Sequence, residues 1–286
     1  MKIAVTGSSG LLGSSFVSFF KKKYINFFTV NRENYNPKIL INEVTDYFQS
    51  QKTSIIIHCA ANTDVELCEK NEEKCFYDNY KLTEVLTEVS KKLNSKLVFI
   101  SSTGVYGNYK SSPYIESDIS KPTTVYHKSK LDAETMIQKT LENYLIIRTG
   151  WLFGGNTDSP KNFVVNRLAE AKNSDGEIFS NLDQRGNPTY TDDLVKNIYT
   201  LINNNVSGLF NCVNKGNASR FEYVSEIINL SGYFVNIKGV KKSAFDRKAN
   251  VSNNEMALNV RLSEINLDQM PRWELSLKEY ISSLKL

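Results

Sequence analysis

Three residues have the types and spacing for proton-coupled chemistry: Ser102, Tyr126 and Lys130. Tyr126 and Lys130, in Tyr126-His127-Lys128-Ser129-Lys130, stand four apart, so on a helix they share a face. An ammonium beside a phenol favours the phenolate and draws its pKa down from roughly 10. That moves a tyrosine toward the range where it gives or takes a proton near neutral pH. Ser102, in Ser101-Ser102-Thr103 at the end of an apolar run, can hydrogen-bond the same substrate oxygen. The trio suits carbonyl reduction: hydride from a nicotinamide, a proton from Tyr126, and Ser102 steadying the developing alkoxide. Lys130 would also hold the nicotinamide ribose. A Tyr-x-x-x-Lys pair alone fits an ordinary surface helix equally well, so the case rests on the elements around it.

The first of those elements opens the chain. Ile3-Ala4-Val5 is a short apolar run that breaks into Thr6-Gly7-Ser8-Ser9-Gly10-Leu11-Leu12-Gly13. Leu11, Leu12, Phe16, Val17 and Phe20 then recur at helical spacing and end at Lys21-Lys22-Lys23, where a helix dipole favours cations. The glycines therefore lie on a strand-to-helix turn. Gly7 permits the turn, Gly10 lets backbone approach a phosphate, and Gly13 lets helix pack on strand. The helix N-terminus offers free N–H groups to a pyrophosphate. Ile25–Val30 is a second strand ending at Asn31-Arg32-Glu33. Asn31 stands where an acid would hold the ribose of NAD, and Arg32 suits the 2′-phosphate of NADP. NADP is expected, and Glu33 keeps NAD open.

Residues 43–51 read as a short helix, 54–61 as a strand, 71–93 as a long helix, 97–101 as a strand, 126–141 as a helix and 144–148 as a strand. Ala60 and Ala61 form a small-residue turn against which a cofactor can lie. His58 sits inside a buried run and reads as structural. This alternation implies an α/β fold: a Rossmann doubly wound parallel sheet over residues 1–155. A smaller C-terminal α/β substrate-binding lobe is expected over 156–286, with a soft boundary and room for parts of it to cross back to the Rossmann domain; helices are read at 161–172 and 220–231 and a strand at 209–213. Ligands bind outside the carboxyl ends of such strands, so the turns after Val5, Ala61, Ser101 and Thr149 converge on one crevice.

At 286 residues and 41% apolar content the chain can bury a large core. A net charge of +4 with mixed signs does not suggest nucleic acid as a partner. The first strand begins at residue 2 and no apolar run spans a membrane, so a cytoplasmic protein is expected. Four cysteines without a C-x-x-C and two histidines build no zinc pattern.

At this level of detail the chain resembles an extended short-chain dehydrogenase/reductase, and more narrowly the dTDP-4-dehydrorhamnose reductase family, over nearly its full length. Gly7 to Gly13, Ala60-Ala61-Asn62-Thr63 and Tyr126-x-x-x-Lys130 are shared with many sugar-nucleotide epimerases. Arg148-Thr149-Gly150-Trp151-Leu152-Phe153-Gly154 and Asn162-Phe163-Val164 are similar to the family's R-T-S-W-V-Y-G and N-F-V. Asp183-Gln184-Arg185-Gly186-Asn187-Pro188-Thr189-Tyr190 is similar to its D-Q-x-G-x-P-T-Y. Asp193-Leu194 extends the match, and Arg247 with Asn250 falls where the family has R-P-x-N-S.

The resemblance implies NADPH-dependent reduction of a 4-keto-6-deoxy sugar carried on a nucleoside diphosphate, and it allows a homodimer. It carries over Ser102, Tyr126 and Lys130 as catalytic. It lines the cofactor with Gly7, Gly10, Leu11, Leu12, Arg32, Ala60, Ala61 and Asn79. Thr103, Trp151 and Asn162 fall on the sugar side, and Gln184, Arg185 and Arg247 at the nucleotide end. The family's S-T-D-Y-V-F is replaced by Ser101-Ser102-Thr103-Gly104-Val105-Tyr106, which leaves the sugar and base open. The acidic metal ligands of some family dimers have no counterpart, so no metal is expected. Two rivals remain: an epimerase, disfavoured by Gly104 where fucose-type enzymes carry cysteine, and a non-catalytic regulatory subunit, disfavoured by the intact trio.

Overall fold

The computed structural model describes residues 1–284. The first half runs β1 (Ile3–Thr6), α1 (Leu11–Lys22), β2 (Phe27–Val30), α2 (Ile41–Ser50), β3 (Ile55–His58), α3 (Val65–Lys70), α4 (Glu72–Phe76), α5 (Leu82–Leu93), β4 (Lys96–Ser102), α6 (Val125–Thr140) and β5 (Tyr144–Thr149). The second half runs β6 (Leu152–Phe153), α7 (Phe163–Asn173), β7 (Glu177–Asn181), β8 (Arg185–Gly186), β9 (Thr189–Tyr190), α8 (Thr191–Asn203), β10 (Gly208–Asn211), β11 (Ala218–Ser219), α9 (Arg220–Ser231), β12 (Asn236–Val240), α10 (Val260–Glu264) and α11 (Trp273–Ser283).

Six parallel strands form the central sheet in the order β10-β5-β4-β3-β1-β2. The strands are near-continuous apolar runs because both sheet faces are covered. Side-chain alternation splits them between two cores. Ile3, Val5, Ile57, Val98 and Ile147 meet Phe16 and Phe20 of α1 and Leu194, Ile198 and Leu201 of α8. Ala4, Ile56, Leu97, Phe99 and Ile146 meet Phe48 of α2, Leu86 and Val89 of α5 and Ile137 of α6. The strand order reverses between β1 and β3, so the ligand crevice opens there, outside their carboxyl ends.

Two features differ from the sequence reading. The strand near 209–213 was expected in the smaller lobe. Instead, β10 pairs with β5 as the edge of the main sheet, with Gly208 opposite Leu145 and Asn211 opposite Arg148. With α8 it returns the chain to the first half. The helix expected over 71–93 is interrupted by a π-turn at Tyr77–Lys81. Such a turn re-aims side chains and is frequent at functional sites. Here it lets Asn79 reach sideways to the turn after β3. Its Oδ1 accepts from the Asn62 N–H at 2.7 Å and its Nδ2 donates to the Asn62 carbonyl at 3.0 Å.

Elements of the second half form a separate aromatic core. Phe153, Tyr190, Tyr223, Trp273 and Tyr280 are buried together between α7, α9 and α11. Short pairs β6–β9, β8–β11 and β7–β12 tie these segments to one another.

Candidate active site

The glycine turn has the geometry of an anion cradle. Gly7 has φ +66°, and a Cβ there would lie 2.6 Å from the Ala60 backbone nitrogen. A Cβ at Gly13 would lie 2.0 Å from the Gly7 carbonyl oxygen. The β1–α1 turn, the Ala60-Ala61 turn and the start of α1 are therefore as close as backbone allows. Gly10 caps α1 without a side chain, and no acid stands in its first turn. Its N-terminal N–H groups are free for a phosphate, with Leu11 and Leu12 opening the helix.

At the end of β2, Asn31 begins a short turn by capping it with Asn34. Arg32 pairs with the buried carboxylate of Asp78 at 3.1 Å, while Lys74 reaches the other oxygen at 3.2 Å. Arg32 is half exposed, so its remaining donors face outward. Asn79 is buried, and its amide is engaged by Asn62 and by the Ser129 hydroxyl at 3.1 Å. It therefore holds the turn that contains Ala60, Ala61 and Asn62. His58 is also buried, between the Thr6 and Thr83 hydroxyls at 2.7 and 3.0 Å. Burial drives its pKa down to about 3, so it stays neutral.

Ser102 ends β4 beside Thr149, and its hydroxyl accepts from the Gly104 N–H at 3.2 Å. The turn after it packs on α6. A Cβ at position 104 would lie 2.1 Å from His127 Nε2, so that space is filled by the imidazole. Thr124 caps α6 by accepting from the His127 N–H, and its hydroxyl also bonds His127 Nδ1 at 2.9 Å. Tyr126 sits in the first turn of this helix, its ring 4.9 Å from that of His127. One turn later the Lys130 ammonium lies 3.9 Å from the centre of the Phe99 ring of β4. The face of α6 that carries Lys130 thus packs on β4, with Tyr126 one turn earlier on the same helix and Ser102 at the end of that strand.

The expected effect of Lys130 on Tyr126 is not what the structure shows. Burial raises the Tyr126 phenol well above its ordinary value, helped by Cys68, Cys75 and Glu255. Burial also pushes Lys130 down, to about 7, against the opposing pull of Glu134. Desolvation is the largest cause of both shifts, and no attraction between Tyr126 and Lys130 contributes to either. The phenol therefore keeps its proton at neutral pH, which is the form that donates.

Beneath the trio lies a buried brace. Glu134 of α6 takes two hydrogen bonds from Arg148 Nε (3.1 and 3.2 Å), one from Nη2 (2.6 Å), and one from the Ser101 hydroxyl. It locks α6 to β4 and β5.

On the opposite side, Trp151 follows β5 in left-handed backbone, φ +48°. For a bulky residue this is uncommon and marks a tightly constrained site. Its carbonyl accepts from the Thr189 N–H at 3.1 Å, and Gly186 leaves room for its indole, where a Cβ would lie 2.5 Å away. Trp151 Nε1 donates to Glu255 at 2.8 Å, and the Arg220 guanidinium lies 3.5 Å from the indole centre. Thr103 is buried with its hydroxyl unpartnered, packed against Gly150.

Other expected substrate residues have protein partners. Asn162 is fully buried; it caps α7, and its Nδ2 bonds the Gly154 and Asn156 carbonyls and the Tyr280 hydroxyl. These bonds let it shape the 154–162 loop. Gln184 is buried, bonding the Ser252 carbonyl at 3.4 Å. Arg185 pairs with Glu222 at 3.3 Å. Arg247 pairs with Glu66 at 2.8 Å rather than with the neighbouring Asp246. Glu66 also accepts the N–H groups of Lys248 and Ala249, so the α3 end and the 247–249 segment are clasped across the crevice.

Sequence reasoning missed Glu255 and Arg220. Arg220 carried a signal: it is the first residue of α9, behind a capping box of Ser219 and Glu222, where a helix dipole disfavours a cation. Among the described residues no group of His, Cys, Asp and Glu side chains is arranged to hold a metal, and no helix is long and apolar enough to cross a membrane.

Comparison with known proteins places this geometry. The family described as RmlD substrate binding domain matches residues 1–286. The spore coat polysaccharide biosynthesis protein SpsK of Bacillus subtilis (strain 168) is 29% identical, over 98% of this chain and 96% of its own. A dTDP-4-dehydrorhamnose reductase of Aggregatibacter actinomycetemcomitans is 31% identical over 68% of this chain and 64% of its own. Among solved structures, a dTDP-4-dehydrorhamnose reductase from Clostridium acetobutylicum ATCC 824 is 29% identical, covers 100% of both chains and gives a TM-score of 0.94. The dTDP-4-dehydrorhamnose reductase of Bacillus anthracis str. Ames, solved in complex with NADP, is 27% identical over 99% of both chains, with a TM-score of 0.92. The chain belongs to the RmlD substrate-binding domain family.

Proposed function

We propose that this member of the RmlD substrate-binding domain family is an NADPH-dependent reductase of a 4-keto-6-deoxy sugar carried on a nucleoside diphosphate, of the dTDP-4-dehydrorhamnose type. What supports the reading is Ser102 at the carboxyl end of β4 in a doubly wound parallel sheet, with Lys130 of α6 against Phe99 of that strand and Tyr126 one helical turn earlier.

The cradle fits the cofactor. Gly7, Gly10 and the uncapped start of α1 would hold its pyrophosphate, Ala60 and Ala61 its adenosine side, and Arg32 its 2′-phosphate. When bound, NADPH supplies the hydride. Tyr126 holds a proton on its hydroxyl and delivers it to the carbonyl oxygen as charge develops there. Ser102 donates to the same oxygen, and Lys130 orients the ribose side of the site. Trp151 offers an apolar plane for the sugar, and Glu255 keeps one oxygen for a sugar hydroxyl. Residues 156–286 supply most of the substrate side.

The test is the absorbance of NADPH mixed with the protein and dTDP-4-keto-6-deoxy sugars. The wild-type chain consumes NADPH. Tyr126→Phe loses activity by about 10²–10⁴-fold while NADPH binding is kept. Turnover that survives this change overturns the mechanism. An epimerase needs a second acid/base pair beside the ketone, and Gly104 has no side chain to supply a member of one.

A further inference from the structure

Arg185 and Arg247 were expected to meet the nucleotide, yet each is paired with an acid, Glu222 and Glu66. Arg220 is different. Its guanidinium lies flat on Trp151, 3.5 Å from the ring centre, and 5.0 Å from that of Phe163. Phe163 carries a second guanidinium, Arg167, at 5.3 Å. Glu255 bonds Trp151 and acts on Arg220 through space without forming an ion pair. Among the described residues no oxygen accepts a hydrogen bond from the Arg220 guanidinium.

An arginine that is mostly buried, stacked and unpaired is costly unless something answers its charge. Of the nearby guanidiniums, Arg167 is paired with Glu170 at 2.7 Å and Arg247 with Glu66 at 2.8 Å, so among the described residues Arg220 is the one of the three without an ion pair. A stacked guanidinium keeps its planar donors free along the edge, which is the geometry for two oxygens of a phosphate. The two neighbouring guanidiniums already hold carboxylates, so the open donor edge of Arg220 is the one left for phosphate oxygens.

We propose that Arg220, steadied on the face of Trp151, is the cation that receives the diphosphate of the nucleotide-activated sugar, and that Arg185 and Arg247 hold the protein's own loops. The proposal rests on the sugar-nucleotide reading above and names the residue that recognises its charged part. It also gives Trp151 two roles, one plane for the sugar side and one for the cation.

The test is calorimetric binding of dTDP, dTMP and NADPH to the full chain and to Arg220→Met, Arg220→Lys and Arg247→Ala. Loss of charge-assisted hydrogen bonds predicts that Arg220→Met weakens dTDP by about 10- to 100-fold. dTMP, lacking the second phosphate, weakens less, and NADPH is unchanged. Arg220→Lys falls between, since it keeps charge without the planar fork. Unchanged dTDP affinity in Arg220→Met overturns the proposal. So does a larger loss in Arg247→Ala, or an equal loss of dTDP, dTMP and NADPH, which reports a damaged fold. If dTDP binds Arg220→Met normally but the KM for the intact sugar nucleotide rises, the guanidinium faces the sugar and the proposal falls. Wild-type turnover with NADPH separates the two levels: a chain that reduces the sugar nucleotide keeps its function whichever way Arg220→Met behaves. A wild-type chain that binds no nucleoside diphosphate and shows no turnover removes both.

Discussion

Replacing Glu134 by glutamine is the sharpest probe of how the site is supported. Glu134 and Arg148 are almost wholly buried and joined by three hydrogen bonds, with Ser101 on the same carboxylate. Glu134→Gln keeps the shape and removes the charge, leaving the Arg148 guanidinium buried against an amide. Breaking one side of a buried pair costs about 3–5 kcal/mol. A chain of 286 residues has an unfolding entropy of about 0.6 kcal/mol/K near 60 °C. The expected fall in Tm is therefore about 5–8 °C. There is a second consequence. Glu134 is the main charge opposing the burial that pushes Lys130 down to about 7. Without it Lys130 loses its proton at lower pH, and the alkaline limb of kcat/KM moves down by about 1 pH unit. Scanning fluorimetry and NADPH oxidation across pH read the two effects separately. Removing both charges, in Glu134→Leu with Arg148→Met, recovers part of the lost Tm. A Tm change under about 1 °C would refute the brace, and an unmoved pH limb would refute its link to Lys130.

Arg32→Ala removes the outward donors at the end of β2. NADPH should weaken by about 10- to 100-fold and NADH by far less; an unchanged ratio of the two affinities discards the 2′-phosphate role. Lys130 also makes stability depend on pH. Its folded pKa is depressed, so between about 7 and the ordinary lysine range the unfolded chain binds the extra proton and stability rises with pH. Relative to Lys130→Met, the wild type should gain up to roughly 1.4 kcal/mol per pH unit above neutrality in urea melts. A gap between the two proteins that is equal at pH values on both sides of that range contradicts a depressed lysine.

The parts of the site that were legible in the sequence are the short-range ones. Gly7 to Gly13 lie on one strand-to-helix turn, Tyr126 and Lys130 on one helix face, and Ser102 at one strand end. Each follows from local periodicity. What was not legible depends on long-range packing. Asn162 and Arg247 have side chains that serve a ligand or the protein equally well, and Arg247's partner is 181 positions away. Glu255 reaches Trp151 across 104 positions, with no local pattern to announce it. β10 reads as a strand from Leu209 and Phe210, but its neighbour β5 could not be read from them. The Tyr126 phenol was expected to be lowered because spacing shows the lysine and not the depth at which both are buried.

The backbone that turns left-handed at Trp151 has an optical consequence. The chain has two tryptophans. Trp273 is packed in the aromatic core of the second half, edge-on to Tyr223. Trp151 alone stands half-buried in the crevice wall, its indole N–H on a carboxylate and its face on a guanidinium. Such close charges tune indole emission, so under the proposed function an anion or sugar entering beside Trp151 is expected to shift it, with Trp273 as the internal reference.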